Sequence, residues 1–331
     1  MNRMNKFKII GILCIIFLLL TACATKETAS EPEKITDSVE EEVKDYGVVE
    51  IENNEQVLVF HEVPQRAVSL NQHVTEIMLA LGLEKHMVGT AYLDDEILPI
   101  YQEAYSKIPV LADKYPSQEV LLGVEPDFVY AGWKSAYLED NVGTVEELDK
   151  FGVKAYLHHS STKVGPTLDD IFLDIRHIAR IFDVVERGEE VIGEMTSQIE
   201  QIKQRIPQDK EALKVFVYDS GSENAAFTVG QNFLNAIINM AGATNIFHDL
   251  EKNWAEVNWE EIVNRNPDVI IIVDYGDVSA EEKKAQLLKH QALKNVTAIQ
   301  QEKFVVLPLS AAAEGVRVPQ ALDILVSGLY P

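Results

Sequence analysis

Two matching segments on either side of a long helical stretch constrain the fold of this chain most strongly. Residues 119–129 read EVLLGVEPDFV, and residues 260–270 read EEIVNRNPDVI. Each begins with a glutamate, continues as a helix that stops before proline, and ends as an apolar strand after Pro-Asp. Between them, residues 186–206 carry apolar side chains at helical spacing with charged residues in between. The pattern predicts two similar lobes connected by one long helix.

The rest of the body alternates short apolar runs with helical segments. A hairpin is predicted over 48–60, and the alternation that follows is typical of α/β lobes with mostly parallel sheets. The sequence therefore predicts an α/β fold in which two Rossmann-like lobes, residues 46–184 and 208–331, are joined by one long α-helix over 185–207.

The N-terminal segment indicates export. Residues 1–8 carry three positive charges, and the apolar run from Ile9 to Leu20 is shorter than the roughly 20 residues that span a bilayer. The run ends in Leu-Thr-Ala-Cys23, which resembles the lipobox of bacterial lipoproteins. We expect a signal peptide over 1–22, an acylated Cys23 and a flexible polar tether over 23–45, which together hold the body at the outer face of the cell membrane. The alternatives are an ordinary signal peptide or an uncleaved anchor.

Charge and cysteine content exclude several classes of function. The formal net charge of −24 argues against a nucleic-acid partner, because phosphates repel such a surface. The two cysteines are Cys14 and Cys23, so the body has no disulfide, no thiolate metal site and no cysteine nucleophile. The chain contains no Gly-x-Ser-x-Gly elbow, His-Glu-x-x-His motif or phosphate-binding glycine loop. We therefore expect no enzymatic activity. An exported hydrolase and an adhesive or structural lipoprotein remain the rival interpretations.

Segments from both halves carry a family resemblance. They read PQRAVSLNQHVTEIMLALGL at 64–83, VGT at 88–90, PSQEVLLGVEPDFV at 116–129, MAGATNIF at 240–247 and WAEVNWEEI at 254–262. In this order they resemble the ABC-transporter substrate-binding proteins for iron siderophores, haem and vitamin B12, the class with a rigid inter-lobe helix. The resemblance covers residues 60–331. It implies a binding protein with a largely preformed cleft, which limits the ordering cost of binding a bulky, rigid ligand.

The resemblance also implies a partner and two docking residues. In the family, one glutamate from each lobe meets arginines of the membrane permease, and the matching positions here are Glu119 and Glu260. The alternative is that both are ordinary first-turn helix residues, since a carboxylate is favoured at a helix N-terminus.

Ligand contacts are expected where strands end, because open α/β sheets bind ligands at the carboxyl ends of their strands. Aromatic side chains there suit planar ligands, and Arg317 could pair with anionic groups of a siderophore. The predicted contacts are Asn71, His73, Tyr92, Tyr115, Trp133, His159, Tyr218, Phe227, Tyr275 and Arg317. No direct metal site is expected, although His73 and His158 are the side chains that could form one.

The sequence and the resemblance together predict a monomeric lipoprotein that binds a ferric siderophore and delivers it to an ABC permease. The ligand would be an iron chelate, with no cofactor of the protein's own. Haem or a corrinoid such as vitamin B12 is the alternative ligand.

Overall fold

The computed structural model describes residues 46–209 and 211–331. The expected signal peptide, Cys23 and the tether lie outside these residues. Among the residues described, no helix is both long enough and apolar enough to cross a membrane.

The first lobe begins with an antiparallel hairpin, β1 (Val49–Asn53) and β2 (Gln56–Phe60). Its turn residues Asn54 and Glu55 have positive φ angles of 48° and 66°. The hairpin is fixed to the rest of the lobe by the buried side chain of Asn53. Its Nδ2 donates to the Leu157 carbonyl at 2.7 Å, and its Oδ1 accepts from the Leu157 N–H at 2.9 Å.

A five-stranded parallel sheet forms the centre of this lobe. Its strands are β3 (Ala67–Leu70), β4 (Met87–Ala91), β5 (Val110–Ala112), β6 (Phe128–Ala131) and β7 (Lys154–Leu157). They lie in the order β5-β4-β3-β6-β7, so the chain reverses direction across the sheet between β3 and β6. In doubly wound folds, this switch point is where ligands bind.

Five helices pack around the first sheet. They are α1 (Gln72–Ala80), α2 (Gln102–Tyr105), α3 (Gln118–Leu122), α4 (Val145–Lys150) and α5 (Leu168–Ile181). Ser117 caps the N-terminus of α3, because its side chain accepts a hydrogen bond from the Val120 N–H. Thr144 and Glu147 form a reciprocal capping box at the start of α4.

The helix α6 (Val185–Lys203) follows the first lobe and contacts both lobes. Its Arg187 donates from Nε to the Ala80 carbonyl in the first lobe at 2.9 Å. Just beyond its C-terminus, Arg205 pairs with Asp323 of the second lobe at 2.8 Å. The helix ends at Lys203 instead of continuing to Pro207 as expected, and residues 204–206 form a turn. Proline disfavours helical geometry in the residue before it, which accounts for an end upstream of Pro207.

The second lobe contains a parallel and an antiparallel sheet. The parallel sheet has the order β11-β8-β13-β14, formed by β8 (Leu213–Tyr218), β11 (Ala243–Asn245), β13 (Val269–Asp274) and β14 (Phe304–Pro308). The antiparallel sheet has the order β12-β10-β9, formed by β9 (Ser220–Gly221), β10 (Ala225–Val229) and β12 (Trp254–Asn258). The switch point of the parallel sheet lies between β8 and β13.

The helices of the second lobe are α7 (Phe233–Met240), α8 (Trp259–Arg265), α9 (Ala280–Lys289), α10 (Thr297–Gln300), α11 (Leu309–Ala312) and α12 (Val318–Leu329). The predicted α/β class, with two Rossmann-like lobes joined by a long helix, is confirmed. The antiparallel sheet was not anticipated, because the predicted strands of this region were all assigned to parallel units.

Candidate ligand-binding cleft

The switch points of both sheets supply residues to one cleft. Trp133 lies just after β6, Asp219 directly follows β8, Tyr275 directly follows β13, and Leu309 directly follows β14. These side chains line an open cavity of about 600 Å³, which we call the outer cleft. Its remaining lining residues are Tyr92, Leu93, Asp94, Lys114, Phe227, Trp254, Gly276 and Asp277. The cleft therefore has walls from both halves of the chain.

Aromatic rings form much of the outer cleft. Phe227 and Trp254 stack in parallel, with ring centroids 5.6 Å apart and planes 5° apart. They meet because β10 and β12 pair antiparallel, with Val229 opposite Trp254. Both rings remain partly exposed, at 38% and 37%. A flat apolar surface open to solvent suits a planar ligand.

The charge of the outer cleft is mainly negative. Asp94, Asp219 and Asp277 face a single cationic lining residue, Lys114. The Lys114 ammonium lies 4.4 Å from the ring centroid of Tyr92. Burial raises the pKa of the Asp94 carboxyl above its ordinary value. The lining of the outer cleft therefore contains more carboxyl groups than cationic groups.

A smaller cavity of about 190 Å³, which we call the inner pocket, adjoins the outer cleft. Trp133, Trp254 and Leu309 line both cavities. The other residues around the inner pocket are Ser161, Asn232, Leu234, Asn253, Val273, Ala312, Ala313 and Glu314.

Of the ten predicted ligand contacts, Tyr92, Trp133, Phe227 and Tyr275 line the outer cleft. Tyr275 is held in place by donating from its hydroxyl to Asp219 Oδ2 at 2.7 Å. Tyr115 does not line the outer cleft, but it packs edge-on against Tyr92 with centroids 4.6 Å apart. The structure brings these aromatic residues together from the ends of β4, β5, β6 and β13 and from the middle of β10.

Arg317 occupies a different position from the one predicted. It is only 6% exposed, and its Nε and Nη2 donate to the two carboxylate oxygens of Glu76 at 2.7 and 2.5 Å. Nη2 also donates to the Glu96 carbonyl, and Nη1 donates to Ser310 Oγ. All three guanidinium nitrogens of Arg317 therefore donate to groups of the protein, and the buried ion pair joins the two lobes. The predicted pairing of Arg317 with a ligand anion is therefore corrected.

The predicted histidines lie beside or beneath the cleft. His73 is 2% exposed and packs under Trp133 with ring centroids 5.0 Å apart. His158 is fully buried, and its Nδ1 shares a hydrogen bond with the Tyr130 hydroxyl at 2.6 Å. Burial lowers the pKa of His73 well below its ordinary value and that of His158 to about 3, so both rings are neutral. Within the described ranges, no cluster of three potential metal ligands occurs.

Three further predicted contacts point elsewhere. Asn71 is fully buried, and its amide group bonds the Tyr115 hydroxyl and the Gly132 N–H. Tyr218 is 3% exposed and packs in the core of the second lobe beside Trp259. His159 faces Asp170 at 3.9 Å and is absent from the lining of both cavities. The position immediately after a strand did not distinguish the residues that line the cleft from those that do not, because only one side of each loop faces the cleft.

The predicted docking residues have equivalent settings in the two lobes. Glu119 and Glu260 are both exposed in the first turn of a short helix, α3 and α8 respectively. Each helix precedes a central strand of its parallel sheet, β6 or β13. Neither carboxylate forms an ion pair with any residue that the structure describes.

Several residues that line the outer cleft or the inner pocket were not predicted from the sequence. Trp254 was quoted within a family-like segment but not proposed as a contact, because its strand pairing with β10 was unknown. The polar lining residues Asn232, Asn253 and Glu314 carried no recognisable signal, since they come from three separate loops.

Comparison with known proteins agrees with the fold. The model of a family described as periplasmic binding protein matches residues 68–311. The uncharacterised ABC transporter substrate-binding lipoprotein YvrC of Bacillus subtilis is 24% identical over 282 residues, 84% of each chain. A vitamin B12-binding protein of Pectobacterium atrosepticum is 26% identical over 223 residues, covering 66% of this chain and 74% of that protein.

Among solved structures, a periplasmic binding protein of Veillonella parvula superposes with a TM-score of 0.79 and 30% identity, covering 86% of this chain and 97% of that one. The family model covers most of the folded body, including strands of both parallel sheets. Members of this family bind solutes outside the cytoplasm and are not enzymes. The chain belongs to the periplasmic binding protein family, and the proteins it is similar to include an ABC-transporter substrate-binding lipoprotein and a vitamin B12-binding protein.

Proposed function

We propose that this protein captures a metal chelate without net negative charge, with a cobalamin-type corrinoid as the first candidate, and delivers it to an ABC permease. The observation that carries the proposal is the composition of the outer cleft: stacked aromatic rings beside three carboxylates and one lysine. Relatives named vitamin B12-binding proteins support the same ligand class.

Charge separates the candidate ligands. Haem carries two propionates, and a ferric tris-catecholate carries three negative charges, so both would approach Asp94, Asp219 and Asp277 with like charge. Arg317, the residue that could have offset this repulsion, is bonded to Glu76. A corrinoid presents a broad face and neutral amide arms, which suit aromatic walls and carboxylate acceptors.

A ferric hydroxamate that is neutral or cationic is the second candidate. The same carboxylates would attract a cationic chelate, and the open outer cleft of about 600 Å³ admits a compact one. For siderophores, our proposal is therefore limited to chelates without net negative charge.

We also propose that acylated Cys23 anchors the protein and that Glu119 and Glu260 meet arginines of the permease. Support for the anchor comes from the apolar run before Cys23 and from the lipoprotein relative YvrC. Support for docking comes from the exposure and unpaired state of the two carboxylates among the described residues.

The ligand is tested by tryptophan fluorescence in a Trp259→Phe variant. The chain has three tryptophans, so this variant keeps only Trp133 and Trp254, which line the cleft. We expect cyanocobalamin to quench its fluorescence at micromolar concentration or below. A cationic ferric trihydroxamate should bind more weakly, and haemin and a ferric tris-catecholate should not bind specifically.

The matched control is the double variant Trp133→Phe, Trp254→Phe. It retains Trp259, whose indole Nε1 donates to the Ser222 and Glu223 carbonyls outside the cleft. Its loss of fluorescence measures light absorption by the ligand and long-range energy transfer, without contact between the ligand and a cleft tryptophan. Saturable quenching by haemin or the catecholate alone would refute the charge argument and the corrinoid assignment.

A further inference from the structure

Two residues that line the inner pocket carry hydrogen-bond acceptors that the described part of the protein leaves unused. The Oδ1 atoms of Asn232 and Asn253 are buried and accept no hydrogen bond within residues 46–209 and 211–331. Asn232 is only 8% exposed, and both residues line the inner pocket. A buried carbonyl oxygen without a partner costs free energy, so an arrangement of this kind favours a ligand that donates to it.

Glu314 adds an acidic group to the same pocket. No cationic side chain lines the inner pocket, and the carboxyl of Glu314 forms no ion pair with the described residues. Burial raises the pKa of Glu314 to about 7, and the charge of Asp174 adds to the effect. At pH 8 the carboxyl is therefore mostly ionised, and among the described residues that line the pocket there is no cation to neutralise it.

Ser161 completes the polar lining from the first lobe. Its hydroxyl donates to the His158 carbonyl at 2.8 Å, so its oxygen is left as an acceptor. The remaining lining side chains are apolar, with two indole rings at the boundary with the outer cleft. The inner pocket thus combines a carboxylate, two amide oxygens and a hydroxyl oxygen in about 190 Å³.

We propose that the inner pocket is a subsite for a nitrogen-bearing arm of the ligand, a carboxamide or an ammonium group, and that it rejects a carboxylate arm. The inference rests on the proposed function, because the arm belongs to a chelate held in the outer cleft. The N–H groups of such an arm match the unused oxygens of Asn232 and Asn253 and the carboxylate of Glu314. A carboxylate arm would bring like charge to Glu314 and would find no cation.

Cobalamin allows the arm to be changed by one functional group. Cobalamin has three monocarboxylate derivatives. In each of them one peripheral propionamide side chain is hydrolysed to a carboxylic acid, and the hydrolysed side chain is at a different corner of the corrin ring in each derivative. At pH 8 we expect one of these isomers to bind at least about ten-fold more weakly than cyanocobalamin, which corresponds to one lost charge-assisted hydrogen bond. The other two isomers should bind within about three-fold of cyanocobalamin, since their changed arms lie outside the subsite.

The substitution Glu314→Gln removes the charge and keeps the shape. In this variant the disfavoured isomer should recover to within about two-fold of cyanocobalamin. The matched control is Glu256→Gln, which alters an exposed carboxylate on β12, two residues from Trp254. It should leave the discrimination unchanged. Binding of cyanocobalamin itself to Glu314→Gln verifies that the variant is folded.

The two proposals fail in different ways. If all three isomers bind the wild type as well as cyanocobalamin does, or if discrimination persists in Glu314→Gln, the subsite is refuted and the corrinoid assignment stands. If cyanocobalamin does not bind, the corrinoid assignment is refuted. The subsite is then tested with a linear ferric trihydroxamate bearing a terminal ammonium and its succinylated, carboxylate-ended form. Equal affinity for that pair would overturn the subsite.

Discussion

At the scale of single residues, Arg317 shows how burial changes the role of a charged side chain. Its guanidinium lies 6% exposed against a Glu76 side chain that is 1% exposed. The neighbouring contact from Ser310 Oγ to Asp95 Oδ2, at 2.9 Å, also joins the second lobe to the first. These bonds satisfy the polar groups where the lobes meet. Together with α6, these bonds hold the cleft in one shape.

Breaking this pair should destabilise the protein strongly. Glu76→Gln leaves the buried guanidinium without a counter-ion, for which we expect a loss of about 3–5 kcal/mol in the free energy of unfolding. Urea denaturation at neutral pH measures the change.

The matched control is Arg176→Ala, which removes another two-pronged arginine–glutamate pair. Arg176 and Glu189 bond at 2.6 and 3.0 Å, but their side chains are 46% and 52% exposed. Water screens such a pair, so the free energy of unfolding should hardly change. Equal effects of the two substitutions would contradict a structural role for the Glu76–Arg317 pair.

At the scale of elements, α6 makes two kinds of contact along its length. Gly188 lies in its first half, where a methyl group would come within 2.7 Å of Ala179 Cβ on α5. Gly193 lies farther along the same helix, exposed, with nothing within 4 Å of a methyl group. The close approach of α5 and α6 thus depends on one glycine and not on the other.

Alanine at these two positions should have opposite effects. Gly193→Ala should stabilise the protein by about 0.5–1 kcal/mol, because alanine loses less backbone freedom than glycine in a helix. Gly188→Ala should destabilise it by about 1–3 kcal/mol, because α5 and α6 must separate to admit the methyl group. Thermal unfolding of the two variants compares them directly. Stabilisation by both would show that α5 and α6 pack less tightly than described.

At the scale of the whole molecule, ligand capture and permease docking use separate surfaces. The cleft residues follow the strand ends, and Glu119 and Glu260 lie in exposed first turns of α3 and α8. Neither glutamate lines the outer cleft or the inner pocket. Changes to the docking surface should therefore leave ligand affinity intact.

Replacing both Glu119 and Glu260 by alanine should reduce ligand uptake by cells more than about ten-fold, since losing a charged partner at an interface costs about 2–5 kcal/mol. The dissociation constant of the purified protein should be unchanged. The control replaces Glu146 and Glu281, which are exposed first-turn glutamates of α4 and α9. A parallel loss of affinity in the Glu119, Glu260 variant would argue against a docking role.

The sequence by itself determined the architecture. The repeated helix, Pro-Asp and strand segments and the amphipathic stretch before Pro207 specify two α/β lobes and a connecting helix, because hydrophobic periodicity and proline act locally. The aromatic cleft residues Tyr92, Trp133 and Tyr275 were also predictable, since each follows a strand of a parallel sheet.

Only the tertiary structure decided which polar groups face the ligand. Arg317 bonds Glu76 across 241 positions of sequence. Glu314, Asn232 and Asn253 come from separate loops and line the same pocket. Contacts between residues far apart in sequence decide whether a charged side chain pairs with a buried partner or faces a cavity. No local sequence pattern encodes such contacts.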